Sequence, residues 1–220
     1  MVKASILADP DAALTIINLG KIAYERVYRL QQRVANQRAS QQVKDQIWFA
    51  EHPGIYTAGR RTSPDHITGD IEVFETNRGG SVTWQGPGQL AVYPTVKLAN
   101  PPQLLRYIRN LEEAVIATCT HFGVVDATRV PFRSGVWFVT ETTPDRKIAS
   151  VGIHLANGVV TGGLSFNCTN SLAPYRKIVP CGLADATQTT LSIEARHLIT
   201  VSQVRPVLAR HLARLLGNSS

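Results

Sequence analysis

The glycine-rich segment at residues 78–89 constrains the fold of this chain more than any other stretch. It reads Arg-Gly-Gly-Ser-Val-Thr-Trp-Gln-Gly-Pro-Gly-Gln, with four glycines and one proline. An ordinary helix is excluded, because in a helix glycine costs about 1 kcal/mol and proline about 3 kcal/mol relative to alanine. Glycine also lets a ligand approach the main chain closely. The segment has neither a Walker loop nor the spacing of a dinucleotide fingerprint. A loop that surrounds a substrate and a tight turn between strands both remain open.

Length and composition predict a soluble protein. The 220 residues suffice for one domain spanning 1–220. No apolar stretch is long enough to cross a bilayer, and acid and proline interrupt the N-terminus before a signal-peptide core could form. We therefore expect a cytoplasmic location. The three cysteines (Cys119, Cys168, Cys181) are odd in number and lack metal-ligand spacing, which argues against both a disulfide framework and a zinc site.

The net charge of +7 points to an acidic partner. Basic residues do not form runs, and aromatic residues are not interleaved with them, so a nucleic-acid surface is disfavoured. An acidic protein is the favoured partner. Arg26, Arg29 and Arg33 would share one face of a helix over 22–42. That stripe is either a docking surface or a solvated helix face.

Hydrophobic periodicity predicts a mixed order of helices and strands. Helices are predicted over 22–42, from Asn100-Pro101 to a cap at Gly123, and over 202–216. Strands are predicted over 13–18 (closed by Gly20), 47–50, 90–98, 136–139, 148–155 and 164–167, and loops over 56–61 and 142–146. Pro94 marks an edge strand or an irregularity. Because strict alternation is missing, we predict one α/β or α+β domain around a mixed sheet with flanking helices.

Two residues are candidates for chemistry. Cys181, between a proline and a glycine, lies in a predicted turn, and a nearby cation would favour its reactive thiolate form. Lys147 begins an apolar strand, where its ammonium either reaches solvent or enters a pocket and accepts a proton. Cys119 is predicted to be a small core residue. Cys168 is predicted to pack at a strand end, with a resolving role toward Cys181 as the alternative.

Five segments together resemble the lipoyl(octanoyl) transferase family, and they occur in family order over nearly the whole chain. They are Glu51-His52-Pro53 with Tyr56-Thr57-Ala58-Gly59-Arg60; Arg78-Gly79-Gly80 with Thr83 and Gly86-Pro87-Gly88-Gln89; Arg133-Ser134-Gly135-Val136-Trp137; Lys147-Ile148-Ala149-Ser150-Val151-Gly152; and Val179-Pro180-Cys181-Gly182. The resemblance implies the fold of the biotin and lipoate protein ligases.

The resemblance also implies an activity: transfer of an octanoyl group from acyl carrier protein to a lysine of lipoyl domains. The acceptors would be the E2 subunits of 2-oxoacid dehydrogenases and the glycine cleavage H protein. Cys181 would form the acyl thioester and Lys147 would favour its thiolate and shuttle protons, with no nucleotide cofactor and no metal. We expect a monomer. The implied substrate pocket consists of Arg78, Gly79, Gly80, Ser81, Val82, Thr83, Trp84, Gln85, Ser150, Val151, Gly152, Gly163, Leu164 and Ser165.

The chain departs from the family pattern at two pocket positions. Gln85 and Gly162 stand where the family motifs have histidine. If those histidines order the pocket, activity survives; if either transfers protons, the chain is slow, altered in substrate or inactive. We expect activity, because Cys181 and Lys147 are intact. The alternatives are a binding protein without turnover and a cysteine hydrolase, which would need a base such as His52. His52 is otherwise predicted to be structural, and His154 a surface or core residue.

Overall fold

The computed structural model describes residues 14–182 and 185–217, except for the side chain of Cys181. The helices are α1 (Tyr24–Ala39), α2 (Leu104–His121), α3 (Leu191–Ala195) and α4 (Val201–Leu216). The strands are β1 (Thr15–Lys21), β2 (Gln46–Glu51), β3 (Ile55–Ala58), β4 (Val73–Glu75), β5 (Thr83–Gln85), β6 (Gln89–Lys97), β7 (Thr128–Val130), β8 (Arg133–Phe138), β9 (Asp145–Ala156), β10 (Val159–Asn167) and β11 (Ala186–Gln188). Short 3-10 turns cover Pro64–His66, Ala173–Lys177 and Pro180–Gly182.

A mixed eight-stranded sheet forms the centre of the structure. Its order is β1-β2-β6-β10-β9-β8-β7, and β11 pairs in addition with β9. The β1–β2 and β11–β9 pairs are parallel and the other pairs are antiparallel. A second sheet of three strands has the order β4-β3-β5. Both parallel and antiparallel pairs therefore occur, as predicted.

Alternation along the central strands divides the interior into two layers. On β2, Phe49 packs into a cluster with α2 and α4, whereas Trp48 packs into a cluster with α1. On β6, Val92 packs into the cluster with α2 and α4, and Tyr93 packs into the cluster with α1. This period of two is what a strand buried on both faces requires. Helices therefore cover both faces of the sheet. Each large apolar side chain buried between the sheet and these helices stabilises the fold by about 1.5–3 kcal/mol.

A third apolar cluster supports the 3-10 turn that precedes Cys181. Val82 and Trp84 pack there against Tyr175 and Ile178. The Trp84 and Tyr175 rings meet edge to face with centroids 5.9 Å apart, a favoured aromatic geometry. The small sheet is thereby joined to the segment that leads into residues 180–182.

Several predicted boundaries need correction. The predicted loop over 56–61 is wrong in its first half, because Tyr56–Ala58 pair with β4 and β5. The first strand does not close at Gly20 but continues to Lys21 through a register shift, and Ala13 lies outside the described residues. The second helix begins at Leu104, later than predicted.

Pro94 marks an irregularity and not an edge, since β6 lies between β2 and β10. The other predicted helices and strands are confirmed, although their ends differ from the prediction. The predicted loop over 142–146 is wrong at its end, because Asp145 and Arg146 belong to β9. None of the helices in the described ranges has the length and apolar character needed to cross a membrane.

Candidate active site

A cavity opens on the α1 side of the sheet, where Arg78–Ser81 and strands β5, β6, β9 and β10 meet. Its volume is about 50 Å³. Its lining consists of Tyr24, Arg78, Gly79, Gly80, Ser81, Thr83, Gln85, Tyr93, Ser150, Val151, Gly152, Gly162, Gly163, Leu164 and Ser165. The structure thus brings together all of the predicted pocket residues except Val82 and Trp84; that a substrate binds there stays a prediction.

Val82 and Trp84 point away from the cavity because neighbouring residues of a strand face opposite sides. Thr83 and Gln85 line the cavity, whereas Trp84 is buried in the third cluster. Their position assigns them a packing role beneath the loop. The alternation of apolar and polar residues over 82–85 is a sequence signal that could have predicted this division.

The buried Arg78 guanidinium organises the loop that it begins. Its Nη1 donates to the carbonyls of Gly79 and Ser81 at 3.1 and 2.9 Å. Its Nη2 donates to Thr57 O at 2.6 Å and to Thr57 Oγ1 at 2.9 Å. A buried cation is costly unless its hydrogen bonds are made. Arg78 therefore stabilises the curved main chain of the cavity wall, and burial raises the pKa of the neighbouring Tyr24 phenol.

A chain of polar contacts reaches the cavity at Gln85. His52 Nδ1 lies 2.7 Å from the carbonyl oxygen of Ile22, and His52 Nε2 lies 2.6 Å from the Tyr93 hydroxyl. A carbonyl only accepts, so Nδ1 holds the proton of the neutral ring, and burial lowers the His52 pKa. The single Tyr93 proton has two acceptors, His52 Nε2 and Gln85 Oε1 at 3.2 Å. His52 thus has a structural position, as predicted, and Gln85 is held in place.

The second departure from the family pattern, Gly162, lies where the β6–β10 ladder opens. Strands β6 and β10 pair at Val96–Val160 and at Val92–Leu164, but not between. The buried Gln31 of α1 fills this opening. Its Nε2 donates to the carbonyls of Pro94 and Gly162 at 2.9 and 3.0 Å, and its Oε1 accepts from Gly162 N at 3.0 Å.

Gly162 has φ +75°, and a Cβ built on it would lie 2.4 Å from the Gly152 carbonyl oxygen. No side chain fits this backbone without rearrangement. The cavity floor is formed here by main chain, in a conformation that a histidine at position 162 would not fit.

Lys147 is buried at 3% exposure beside the aromatic ring of Trp137. Its Nζ lies 4.6 Å from the ring centroid, a cation–π contact worth about 0.5–2 kcal/mol. A Cβ on Gly135 would lie 2.6 Å from Lys147 Cε. These contacts explain why a glycine and a tryptophan occur at fixed spacing in the Arg133–Trp137 motif. Of the two positions left open for Lys147, the structure shows the buried one.

The segment after Cys181 lies alongside Lys147. Gln188 of β11 pairs with Lys147 of β9, and Thr189 N donates to the Lys147 carbonyl oxygen at 3.0 Å. Cys181 itself lies in the 3-10 turn Pro180–Gly182, which confirms the predicted turn. Its side chain is outside the described part of the structure, so the contact between the two predicted reactive groups stays a prediction.

The other two thiols are core residues. Cys119 and Cys168 are fully buried. Burial raises the pKa of Cys119 to about 12 and raises the pKa of Cys168 strongly. Both are therefore protonated at neutral pH, in agreement with their predicted packing roles. Over residues 14–182 and 185–217, no three His, Cys, Asp or Glu side chains group as metal ligands would.

Sequence reasoning missed Tyr24, Gln31 and Tyr93 at this site. Tyr24 and Tyr93 line the cavity, and Gln31 closes its floor from α1. Each lies on a helix or strand that was predicted from the spacing of its apolar residues. That spacing does not show which phenol or amide side chains face a cavity. Only the crossing of α1 over the sheet brings them to the cavity.

The mixed sheet, its covering helices and the glycine-lined cavity define a catalytic domain of the lipoate-ligase type. The chain belongs to the lipoyl protein ligase A/B catalytic domain family, whose profile matches residues 23–213. An octanoyltransferase of Nocardia farcinica is 43% identical over 206 residues, 93% of this chain and 82% of that protein. One of Corynebacterium efficiens is 45% identical over 202 residues, 90% of this chain and 80% of that protein.

A solved structure supports the fold. The bipartite lipoate protein ligase of Thermoplasma acidophilum superposes on this chain with a TM-score of 0.69, and it comes from a structural study of that ligase and its E2 lipoyl domain. It is 13% identical and the match covers 92% of this chain and 83% of that one. The family and the fold expected from the sequence motifs are thus confirmed.

Proposed function

We propose that this protein transfers octanoyl groups from acyl carrier protein to a lysine of lipoyl domains. One observation supports it above the others. Residues from segments 78–85, 150–152 and 163–165 converge on one cavity. The match to octanoyltransferases over at least 90% of this chain supports an acyl group as the ligand of that cavity. Because five glycines line this cavity, an acyl group can approach the main chain closely there.

The first step is exchange between thioesters. The Cys181 thiolate attacks the carbonyl carbon of the octanoyl thioester, a new C–S bond forms, and the C–S bond to the carrier breaks. The departing carrier thiolate takes up the proton that Lys147 accepted from the Cys181 thiol, which leaves Lys147 neutral. No nucleotide is consumed, because the acyl group arrives activated and remains a thioester.

The second step forms an amide. The lysine amine of the lipoyl domain attacks the Cys181 thioester carbon, a C–N bond forms and the C–S bond breaks. The amine loses one proton, for which neutral Lys147 is the proposed acceptor. Its buried position beside Trp137, on the strand that pairs with the segment following Cys181, supports that role. General base catalysis of this kind contributes about 10²–10⁴-fold.

The arginine stripe is the proposed docking surface for the acidic partners. Arg26, Arg29 and Arg33 are exposed on α1, and among the described residues none of them forms an ion pair. The same helix contributes Tyr24 to the cavity. Complementary charge raises association rates more than affinity. Acyl carrier protein as donor, the H protein as a second acceptor, the monomeric state, the single domain over 1–220 and the cytoplasmic location all stay predictions.

Intact-protein mass spectrometry with octanoyl-acyl carrier protein tests the proposal. We expect a mass gain of one octanoyl group on the parent chain and none on Cys181→Ser. Adding a lipoyl domain should remove the adduct and acylate the domain. Lys147→Met should slow both steps, whereas Lys44→Met, an exposed lysine, serves as the charge-matched control.

Two outcomes would contradict the proposal. If the parent binds the carrier protein without forming an adduct, the chain is a binding protein. If free octanoate accumulates and the lipoyl domain stays unmodified, water is the acceptor and the chain is a hydrolase.

A further inference from the structure

Residues 66–69 bind the main chain that leads into Cys181. Val179 N donates to the His66 carbonyl oxygen at 2.8 Å. Thr68 N and Gly69 N both donate to the Lys177 carbonyl oxygen, at 3.0 and 3.1 Å. These bonds pair 66–69 with 177–179 outside the main sheet. The turn Pro180–Gly182 therefore begins from a fixed strand-like support.

The imidazole of His66 lies between this turn and the cavity wall. On one side, His66 Nδ1 is 2.6 Å from the hydroxyl of Ser81, a buried residue of the cavity lining. On the other side, a Cβ built on Gly182 would lie 2.9 Å from His66 Cε1 and 3.1 Å from Nε2. The ring thus connects the wall of the cavity to the residue that follows Cys181.

The hydrogen bonds of His66 determine which ring nitrogen holds the proton. Ser63 N donates to His66 Nδ1 at 3.2 Å. A backbone amide can only donate, so Nδ1 is an acceptor, and the Ser81 hydroxyl donates to it as well. The neutral ring then bears its proton on Nε2, the edge that faces the turn. Ser63 N and the Ser81 hydroxyl both bond to His66 Nδ1, so the ring has one orientation.

Gly182 has no side chain, which leaves room for this ring. Its φ is +70°, in the left-handed region that glycine favours, and any side chain would meet the imidazole. The Cys181–Gly182 peptide therefore packs directly beneath His66. Loss of the ring would leave a gap at this peptide and release one side of the turn.

We propose that His66 is a positioning residue for octanoyl transfer: anchored to Ser81, it holds the Cys181 turn against the cavity. This inference rests on the proposed function, since it assigns Cys181 the reactive role. Thioester exchange requires the attacking sulfur to meet the carbonyl carbon at a defined distance and angle. A misplacement of about 1 Å can lower such a rate about 100-fold.

Two substitutions at His66 separate positioning from general stability. His66→Ala removes the ring and its anchor, whereas His66→Gln keeps a side chain that reaches Gly182. Ser81→Ala removes the anchor and keeps the ring. His197→Ala is the control, because His197 is an exposed histidine whose Nδ1 lies 2.9 Å from the Ala195 carbonyl oxygen of its own turn.

The first measurement is the single-turnover rate of octanoyl adduct formation, with carrier-protein affinity measured alongside. We expect His66→Ala to slow acylation about 10–100-fold with affinity unchanged, and His66→Gln and Ser81→Ala to fall between it and the parent. The control should match the parent. Acylation by His66→Ala within twofold of the parent, or a parallel loss of carrier affinity, would overturn the inference.

The second measurement does not depend on acyl chemistry. Amide hydrogen exchange at residues 178–182 should accelerate in His66→Ala and not in His197→Ala. Unchanged exchange there would overturn the inference. If the parent forms no octanoyl adduct while exchange still responds to His66, the proposed function fails and the fixing of the turn by His66 stands.

Discussion

Replacing Gly162 by alanine tests why this chain lacks the second histidine of the family motifs. The main chain at Gly162 has φ +75°, and a Cβ there would lie 2.4 Å from Gly152 O and 3.1 Å from Ile153 Cα. The substitution therefore combines two costs, left-handed backbone and collision. Gly123 offers a matched control, because it has φ +80° and nothing lies within 4 Å of a Cβ built on it.

The two costs can be estimated separately. A non-glycine residue in the left-handed region costs roughly 1–2 kcal/mol, which is the whole expected loss for Gly123→Ala. Overpacking a dense interior adds about 1–3 kcal/mol. The expected loss for Gly162→Ala is therefore about 3 kcal/mol. For a chain of this size each kcal/mol lowers Tm by about 2–4 °C, so Tm should fall by about 6–12 °C.

Urea unfolding and thermal scans, both followed by circular dichroism, measure these losses. Gly162→His should lose at least as much stability as Gly162→Ala and gain no activity. Gln85→His should lose less than about 1 kcal/mol, because Gln85 occupies an ordinary strand position beside Tyr93. Equal losses for Gly162→Ala and Gly123→Ala would refute the steric reasoning. So would a Gly162→His protein as stable as the parent.

Three further predictions follow from buried groups. Because burial lowers the His52 pKa, the unfolded chain binds this proton from about pH 6.5 downward and the folded chain only at lower pH. The unfolding free energy should thus fall from pH 7 to pH 5 by more in the parent than in His52→Gln, and equal slopes would contradict this. Gln31→Ala leaves main-chain groups of the open ladder unpaired and should lower the unfolding free energy by about 2–3 kcal/mol; a loss below about 1 kcal/mol in urea unfolding would count against it. Since Cys119 and Cys168 are buried, iodoacetamide should modify the native parent once and Cys181→Ser not at all, and any adduct on that variant would disprove the assignment.

Long periodic elements could be predicted from the sequence, and short strands could not. α2 and α4 present apolar side chains at helical spacing, so the pattern itself locates them. Strands β4, β7 and β11 have three residues each, too few for any period to show. The pairing partner of β11 is also distant in sequence, as Gln188 is from Lys147, and only the folded chain brings the two strands together.

In the candidate site too, some features could be predicted from the sequence and others depend on the fold. The resemblance of the motifs to the lipoyl(octanoyl) transferase family predicted the cavity-lining segments. From the residues alone, the glycine-rich segment 78–89 left a substrate loop and a tight turn open. The contacts of Gln31 with Pro94 and Gly162 depend on how α1 crosses the sheet, which no local pattern encodes. The burial of Lys147 against Trp137 was one of two predicted positions, and the fold decides between them.

The cavity wall has a consequence for how such a protein can evolve. Five of the lining residues are glycines (Gly79, Gly80, Gly152, Gly162 and Gly163), so much of the surface that a ligand would touch is peptide backbone. Backbone has no side chain to exchange, and its shape changes only when the surrounding chain is rearranged. Few single substitutions can therefore widen or lengthen this cavity without cost to folding. Selection for a different acyl group would have to act through Tyr24, Tyr93, Val151 or Leu164, the larger apolar or aromatic side chains of its lining. Among descendants of this chain, ligand preference should therefore drift more slowly than the surface that meets the partner proteins.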